Sequence, residues 1–214
     1  MRSPTAVLIP VRSFREGKSR LASSLPEAQR QALLRDMADT VLTATGHLTA
    51  AVVTRDADVA AWAGQAGALV LDEHGRHLSI IVRSAVDELG AAGFGRAIIA
   101  HADLPLADDL TWLAEPTLPD VVVVTDRRTD GSNVVMVPTG ADFHFAYGPS
   151  SWSRHQAEAR RLGLGVTVVR DPLLGWDVDV VDDLALPTGK ELSAATRASR
   201  TARAQAATAL QPAR

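Results

Sequence analysis

Ala6-Val7-Leu8-Ile9-Pro10-Val11 runs without a break into Arg12-Ser13-Phe14-Arg15-Glu16-Gly17-Lys18-Ser19-Arg20-Leu21, and the reading of this junction decides the fold. The first half is an apolar run of strand length, the pattern of a strand buried on both faces of a parallel sheet. Four cations, Arg12, Arg15, Lys18 and Arg20, follow within nine residues. Ligands bind outside the carboxyl ends of the strands in an open α/β sheet. The junction therefore predicts a first buried strand whose C-terminal loop receives something anionic.

Working outward, Ser24-Leu25-Pro26-Glu27 has capping-box spacing, and Leu34, Met37, Ala38, Val41 and Leu42 recur at helical intervals until Gly46. Residues 50–54 and 68–72 read as strands flanking a helix that starts at Arg55-Asp56-Ala57-Asp58. Leu78, Ile81, Val82, Ala85, Val86 and Leu89 make the clearest helical stripe, and 97–100 is a fourth, wholly apolar strand. Further strands are predicted at 121–124, 134–137 and 166–169, with a helix over 150–162 and a short helix start at Asp182-Asp183-Leu184. This alternation predicts one α/β unit, a mostly parallel central sheet with helices on both faces. From Lys190 the chain is rich in Ala, Ser, Thr and Arg, so 190–214 is expected as a helix or a disordered tail, with few large apolar side chains to repay its ordering.

At 214 residues and 46% hydrophobic content, the chain fits one domain better than two. A net charge of -3 gives no global attraction to nucleic acid or to anionic membranes, so neither is an expected partner and phosphate binding must be local. The absence of cysteine removes disulfides, thiolate nucleophiles and cysteine metal sites. The N-terminal apolar run is short, is broken by Pro10 and has no cleavage pattern after it, so the expectation is a cytoplasmic protein.

Three clusters can carry chemistry. Arg12, Lys18 and Arg20 can hold a triphosphate, with Gly17 letting backbone amides approach closely, although the spacing is not that of a P-loop. Asp103 lies just past the fourth strand, and Asp177 and Asp179 alternate with Val178, which puts both carboxylates on one side of an extended chain. Such oxygens suit a hard divalent cation at a phosphoryl transfer site. Gly131-Ser132-Asn133 and Gly148-Pro149-Ser150-Ser151, the latter opening a helix, offer amides and hydroxyls to a second anion. Taken singly, each cluster also reads as a solvated loop, a turn or an N-cap. Gly90, Gly93 and Gly95 precede a strand, the wrong context for dinucleotide binding, and the six histidines form no zinc pattern.

These residues, taken in order, resemble the guanylyltransferases of deazaflavin coenzyme F-420 biosynthesis, which join GMP to 2-phospho-L-lactate or phosphoenolpyruvate. The family's Pro-Val-Lys-x-x-x-x-x-Lys-Ser-Arg-Leu-Ala is similar to Pro10-Val11-Arg12 through Lys18-Ser19-Arg20-Leu21-Ala22. Its Asp-Leu-Pro is similar to Asp103-Leu104-Pro105, its Gly-Thr loop to Gly131-Ser132-Asn133, its Gly-Pro-x-Ser and later His to Gly148-Pro149-Ser150-Ser151 with His155, and its late Asp-x-Asp to Asp177-Val178-Asp179.

The resemblance implies a Rossmann-like nucleotide-diphospho-sugar-transferase fold, with a nucleotidyltransferase domain over 1–189. It implies transfer of GMP from GTP with release of pyrophosphate, and Mg²⁺ held by Asp103, Asp177 and Asp179. Lys18, Arg20 and Asp103 are the implied catalytic set, Arg12, Gly17, Lys18 and Arg20 the nucleotide set, and Ser132, Gly148 and Ser151 the acceptor set. Where the family has Leu-Asn-x-Ala near the base, this chain has Leu78-Ser79-Ile80-Ile81, which puts Ser79 at that position. A homodimer and a downstream transferase of the same pathway are the protein partners the resemblance allows. The competing readings are a related nucleotidyltransferase with another base or acceptor, and a relative that binds nucleotide without turnover.

Overall fold

A computed structural model describes residues 4–208 of the chain. The first strand, β1 (Thr5–Pro10), is central and its residues Ala6 to Ile9 are fully buried. Side chains alternate across a strand, so Val7 and Ile9 enter one core while Ala6 and Leu8 enter the other. Helices α1 (Glu27–Ala44) and α2 (Ala57–Gln65) cover the first face, and α3 (Leu78–Ala91) and α4 (Ser151–Arg161) the second. The α3 stripe read from the sequence is the stripe that is buried.

The remaining strands are β2 (Thr49–Thr54), β3 (Leu69–Asp72), β4 (Arg96–Ala100), β5 (Val121–Thr125), β6 (Ser132–Pro138) and β7 (Val166–Val169). They form a seven-stranded sheet of order β3-β2-β1-β4-β6-β5-β7. All pairings are parallel except those of β6, which runs antiparallel to both β4 and β5. The connection from β5 to β6 spans only 126–131, too short for a crossover, so β6 must turn back. The chain leaves β1 towards β2 on one side and later places β4 on the other. That reversal opens a crevice at the C-terminal ends of β1 and β4.

Local expectations were corrected at two places. Ser24 does not cap α1: Pro26 is the N-cap and no side chain caps it. Ser24 N and Leu25 N both donate to the Leu21 carbonyl, at 3.0 and 2.8 Å, which keeps the chain in the preceding 3-10 turn (Ser19–Leu21) and delays the helix. Ser132 and Asn133, expected in a polar connection, are buried members of β6.

The Ala/Arg-rich stretch forms helix α5 (Gly189–Thr208), and residues 209–214 lie outside the described residues. Its Ala202, Ala206 and Ala207 pack on the first core, and buried polar contacts add to them. Asp171, fully buried at its side chain, accepts from Ser199 Oγ at 2.6 Å and from Arg203 Nε at 2.6 Å, and Arg203 Nη2 reaches Asp108 Oδ1 at 2.6 Å. Asp171 Oδ1 also accepts from Leu173 N and Leu174 N, so α5 braces the turn that leads towards Asp177. Arg203→Met strands the buried Asp171 carboxylate, and breaking such a pair from one side costs about 3 kcal/mol. Urea denaturation should show this as a lower midpoint at unchanged slope, and an unchanged midpoint would make α5 an ornament.

Candidate active site

The basic loop is fixed at its base and open at its tip. Phe14 is buried edge-on against Trp62, with ring centroids 5.3 Å apart, and Ser13 Oγ donates to Asp56 Oδ2 at 2.7 Å. Gly17 lies close on α1, where a Cβ would meet the Leu34 Cδ1 methyl at 2.8 Å. Lys18 takes a left-handed conformation, φ 55°, uncommon for a residue with a side chain. That turn carries its ammonium over the ends of β1 and β4.

There Lys18 Nζ donates to Asp103 Oδ2 and, at 2.7 Å, to Asp179 Oδ1. Asp179 arrives because Val178 N donates to the Asp103 carbonyl at 3.2 Å. Burial works to lower the Lys18 pKa, but the Asp103 charge and the hydrogen bonds that Nζ donates to both carboxylates outweigh it and hold the ammonium above its usual range. Burial would raise Asp103, and the Lys18 charge overrides it, so this carboxyl is held low. Asp177 has only the Arg128 guanidinium, whose Nη1 lies 4.0 Å from its Oδ1, too far for a hydrogen bond: burial first, then the Asp103 charge, push it up to about 6.

Among the described residues no group of three or more His, Cys, Asp or Glu side chains converges as a metal cluster; the Lys18 ammonium bridges two of the three aspartates instead. The donor chemistry nonetheless fits a hard cation. Asp103 Oδ1 and Asp177 Oδ1 are both buried without a hydrogen-bond partner, and buried carboxylate oxygens normally have one. The Lys18 ammonium serves Asp103 and Asp179, and Arg128, 4.0 Å from Asp177, is shared with Asp183; the negative charge left is what a divalent ion bound through oxygen would neutralise.

The other expected residues divide. Arg12 and Gly17 line, with Lys18 and Asp103, a cavity of about 230 Å³ whose walls include Phe14, Leu34 and Leu78. Arg20 is exposed on the 3-10 turn and pairs with no described carboxylate. Ser79 Oγ, in the first turn of α3, accepts from Tyr147 N at 3.1 Å and so supports the aromatic loop. Gly148 is in that loop with φ 109°. The N-terminus of α4, expected to attract an anion, already has one: Ser150 N donates to Asp130 Oδ1 at 2.7 Å.

Ser132 and Ser151 are brought together, both buried, with Ser151 Oγ 3.3 Å from Ser132 Oγ. His155 organises them. Its Nε2 accepts from Ala146 N at 2.9 Å, so the proton of a neutral ring lies on Nδ1, which donates to Ser132 Oγ at 3.0 Å. Tyr147 meets His155 edge-on and His101 at a tilt, at centroid distances of 5.0 and 5.2 Å, and so links the serine cluster to the strand end that carries Asp103.

Burial, followed by the His101 and Arg154 charges, pushes His155 down to about 4. Between an unfolded value near 6.5 and that folded value, the unfolded chain binds a proton the folded chain does not. The stability that His155 contributes is therefore lost as pH falls through this window, by about 3 kcal/mol, and is complete above it. Because Asp177, raised to about 6, acts in the opposite sense over the same window, the test is the difference between native and His155→Gln urea midpoints, which should be large at pH 7 and shrink at pH 4.5.

Several functional groups escaped the sequence reading. Asp183, read as a helix start, has a fully buried side chain whose Oδ2 accepts from Asp179 N and Val180 N at 2.7 and 2.9 Å. Arg127 and Arg128 pair with its Oδ1, and Arg127 lies 4.2 Å over the Trp176 ring. No spacing signals these contacts, which join positions more than fifty residues apart.

The chain is similar over this whole region to named guanylyltransferases. It is 35% identical over 184 residues to the phosphoenolpyruvate guanylyltransferase of Roseiflexus castenholzii, covering 83% of this chain and 84% of that one. It is 32% identical over 189 residues to the 2-phospho-L-lactate guanylyltransferase of Methanothermobacter thermautotrophicus, covering 84% and 82%. A solved nucleotidyl transferase from the same archaeon shares the fold, with a TM-score of 0.58 at 16% identity over 92% of this chain and 99% of the other. With its model matching residues 5–187, from β1 through the Asp103, Ser132 and Asp177 clusters, the chain belongs to the CofC-like guanylyl transferase family.

Proposed function

We propose that this protein transfers GMP from GTP to a small phosphorylated acid, phosphoenolpyruvate or 2-phospho-L-lactate, with pyrophosphate as the leaving group, in deazaflavin coenzyme F-420 biosynthesis. The observation that carries this reading, in a member of this family, is the Lys18 ammonium held between Asp103 and Asp179 beside two partnerless carboxylate oxygens. An acceptor phosphate oxygen attacks the α-phosphorus of GTP. The new P–O bond forms as the bond to the β-phosphate oxygen breaks, and pyrophosphate departs with the electron pair. The nucleophile is already anionic, so no enzyme base is needed, and the protein positions and neutralises.

Lys18, freed from its carboxylates, meets the triphosphate together with Arg12 and Arg20, and Gly17 keeps that loop close to α1. Asp103, Asp177 and Asp179 would hold Mg²⁺, which when bound neutralises phosphate oxygens. Ser132, with its hydroxyl oriented by His155 Nδ1–H, and Ser151 bind the acceptor phosphate from the opposite side, near Gly148. Ser79 supports this half through Tyr147 N. Ser132→Ala should raise the acceptor KM about tenfold with the GTP KM unchanged, the size expected for one hydrogen bond to a charged group. The reverse pattern in steady-state kinetics would swap the two halves.

No helix among the described residues is long and apolar enough to cross a membrane. We place the reaction in the cytoplasm, where GTP is held, and the activated diphosphate product calls for a second transferase that consumes it. A homodimer is the other association this reading allows. The experiment is a matrix of GTP, ATP, CTP and UTP against phosphoenolpyruvate, 2-phospholactate and 3-phosphoglycerate with Mg²⁺, followed by pyrophosphate release. One GTP pair should stand well above the rest, and no release from any pair would remove the proposal.

A further inference from the structure

The cavity over β1 has a second lobe that phosphate chemistry does not use. A recess of about 90 Å³ shares Pro10, Val11, Arg12 and Leu78 with the larger cavity and extends past Val53 and Ile81 to Glu73. Lys18 and Asp103 line the larger lobe alone, and Glu73 the smaller one alone. The two lobes thus run from the triphosphate end at β4 to the end of β3.

Glu73 follows β3 directly, and its backbone N donates to the Thr54 carbonyl at 3.2 Å, which fixes the residue over the edge of the sheet. Its side chain is only 2% exposed. Oε1 is buried and accepts no hydrogen bond: the nearest cations, Arg55 Nε and Arg12 Nε, lie at 3.7 and 4.0 Å, and both side chains are more than half exposed. A carboxylate oxygen taken out of water needs a donor, and the two arginines stand at ion-pair distance without closing a hydrogen bond to it. Of the remaining walls, Val53, Leu78 and Ile81 are apolar and suit the face of a flat ring, while Arg76 joins Arg12 as a cation at the rim.

We propose that Glu73 reads the base of the nucleotide, accepting hydrogen bonds from N1–H and the 2-amino group of guanine. The inference rests on the guanylyltransferase reading. Guanine is the common base with two adjacent donors on one edge, matching the two oxygens of a carboxylate. Adenine turns an acceptor nitrogen towards the same carboxylate, cytosine offers one donor beside an acceptor, and uracil one donor between two carbonyls. Ser79, at the position the family resemblance assigned to the base, has its hydroxyl engaged by Tyr147 N. With that oxygen held towards the aromatic loop, base selection is assigned to the end of β3.

Titration calorimetry of GTP and of ITP, which lacks the 2-amino group, tests this without any acceptor. The native protein should bind GTP about tenfold or more tightly than ITP, the range of a hydrogen bond to a charged group. Glu73→Gln keeps the size of the side chain, should weaken GTP about 10- to 100-fold and should bring the GTP-to-ITP ratio close to one. An equal loss for GTP and ITP in the variant would assign Glu73 to pairing with Arg12 and Arg55 and overturn the inference. Equal affinity of the native protein for the two nucleotides would overturn it as well, even if the variant did not fold. Selective GTP binding without pyrophosphate release from any acceptor would remove the proposed reaction and leave the base-reading role standing.

Discussion

Asp103→Asn lowers turnover at least about 10³-fold while the melting temperature moves by only a few degrees. Asparagine keeps the shape of the side chain but removes the charge that holds Lys18 and that would bind Mg²⁺. Losing a single preorganised charge-stabilising group at a transition state costs about 10²–10³-fold, and losing a metal ligand adds to it. The fold survives because the hydrogen bond from Val178 N to the Asp103 carbonyl involves backbone only, and Lys18 keeps Asp179. Pyrophosphate release and a thermal melt on the same preparation check both halves. A rate within tenfold of the native one would reduce Asp103 to a turn residue at the end of β4.

Asp183→Ala has the largest expected effect on stability, about 3 kcal/mol or more. The native carboxylate is buried and satisfies two arginines and two backbone donors, so its removal leaves four groups to find water or nothing. Burial works to raise its pKa, but the hydrogen bonds from Val180 N and Asp179 N, with those from Arg128 and Arg127, hold it below the ordinary 3.8. A carboxyl depressed on folding contributes stability that is complete above its unfolded pKa and is lost as pH falls below about 4 through the folded value. Urea midpoints of native and variant proteins should therefore differ most at neutral pH and converge in acid. The variant should also lose turnover in the fraction that stays folded, because Asp183 holds the backbone of Asp179 in place.

What was legible in the sequence was local. The apolar run of β1, the stripe of α3 and the aspartate closing β4 depend on neighbours a few residues away, and periodicity carries that information. Asp56 capping α2 is of the same kind, with its side chain accepting from Asp58 N and Val59 N. Ser24 shows the limit of such signals, since its spacing was right and a competing turn at Leu21 took its backbone.

What was not legible was set by pairings across the sheet or between distant segments. The reversal of β6 buries Ser132 opposite His155, 23 positions on, and no pattern around Ser132 announces it. The tail, readable only as either a helix or a disordered segment, is anchored by Asp171 through Ser199 and Arg203 at 28 and 32 positions' distance. The candidate site divides the same way. Lys18 and Asp103 each end a readable element, whereas their meeting, 85 positions apart, belongs to the switch in strand order.

The phosphorus spectrum of the product tests the central claim most directly. After incubation of the protein with GTP, phosphoenolpyruvate or 2-phospholactate, and Mg²⁺, two mutually coupled phosphorus doublets of an unsymmetrical diphosphate should grow in, one pyrophosphate appearing for each. The mass should be that of the acceptor joined to GMP. Free GMP or GDP in place of that coupled pair would show hydrolysis without transfer, and the assignment of Lys18, Asp103 and Asp179 to guanylyl transfer would be wrong.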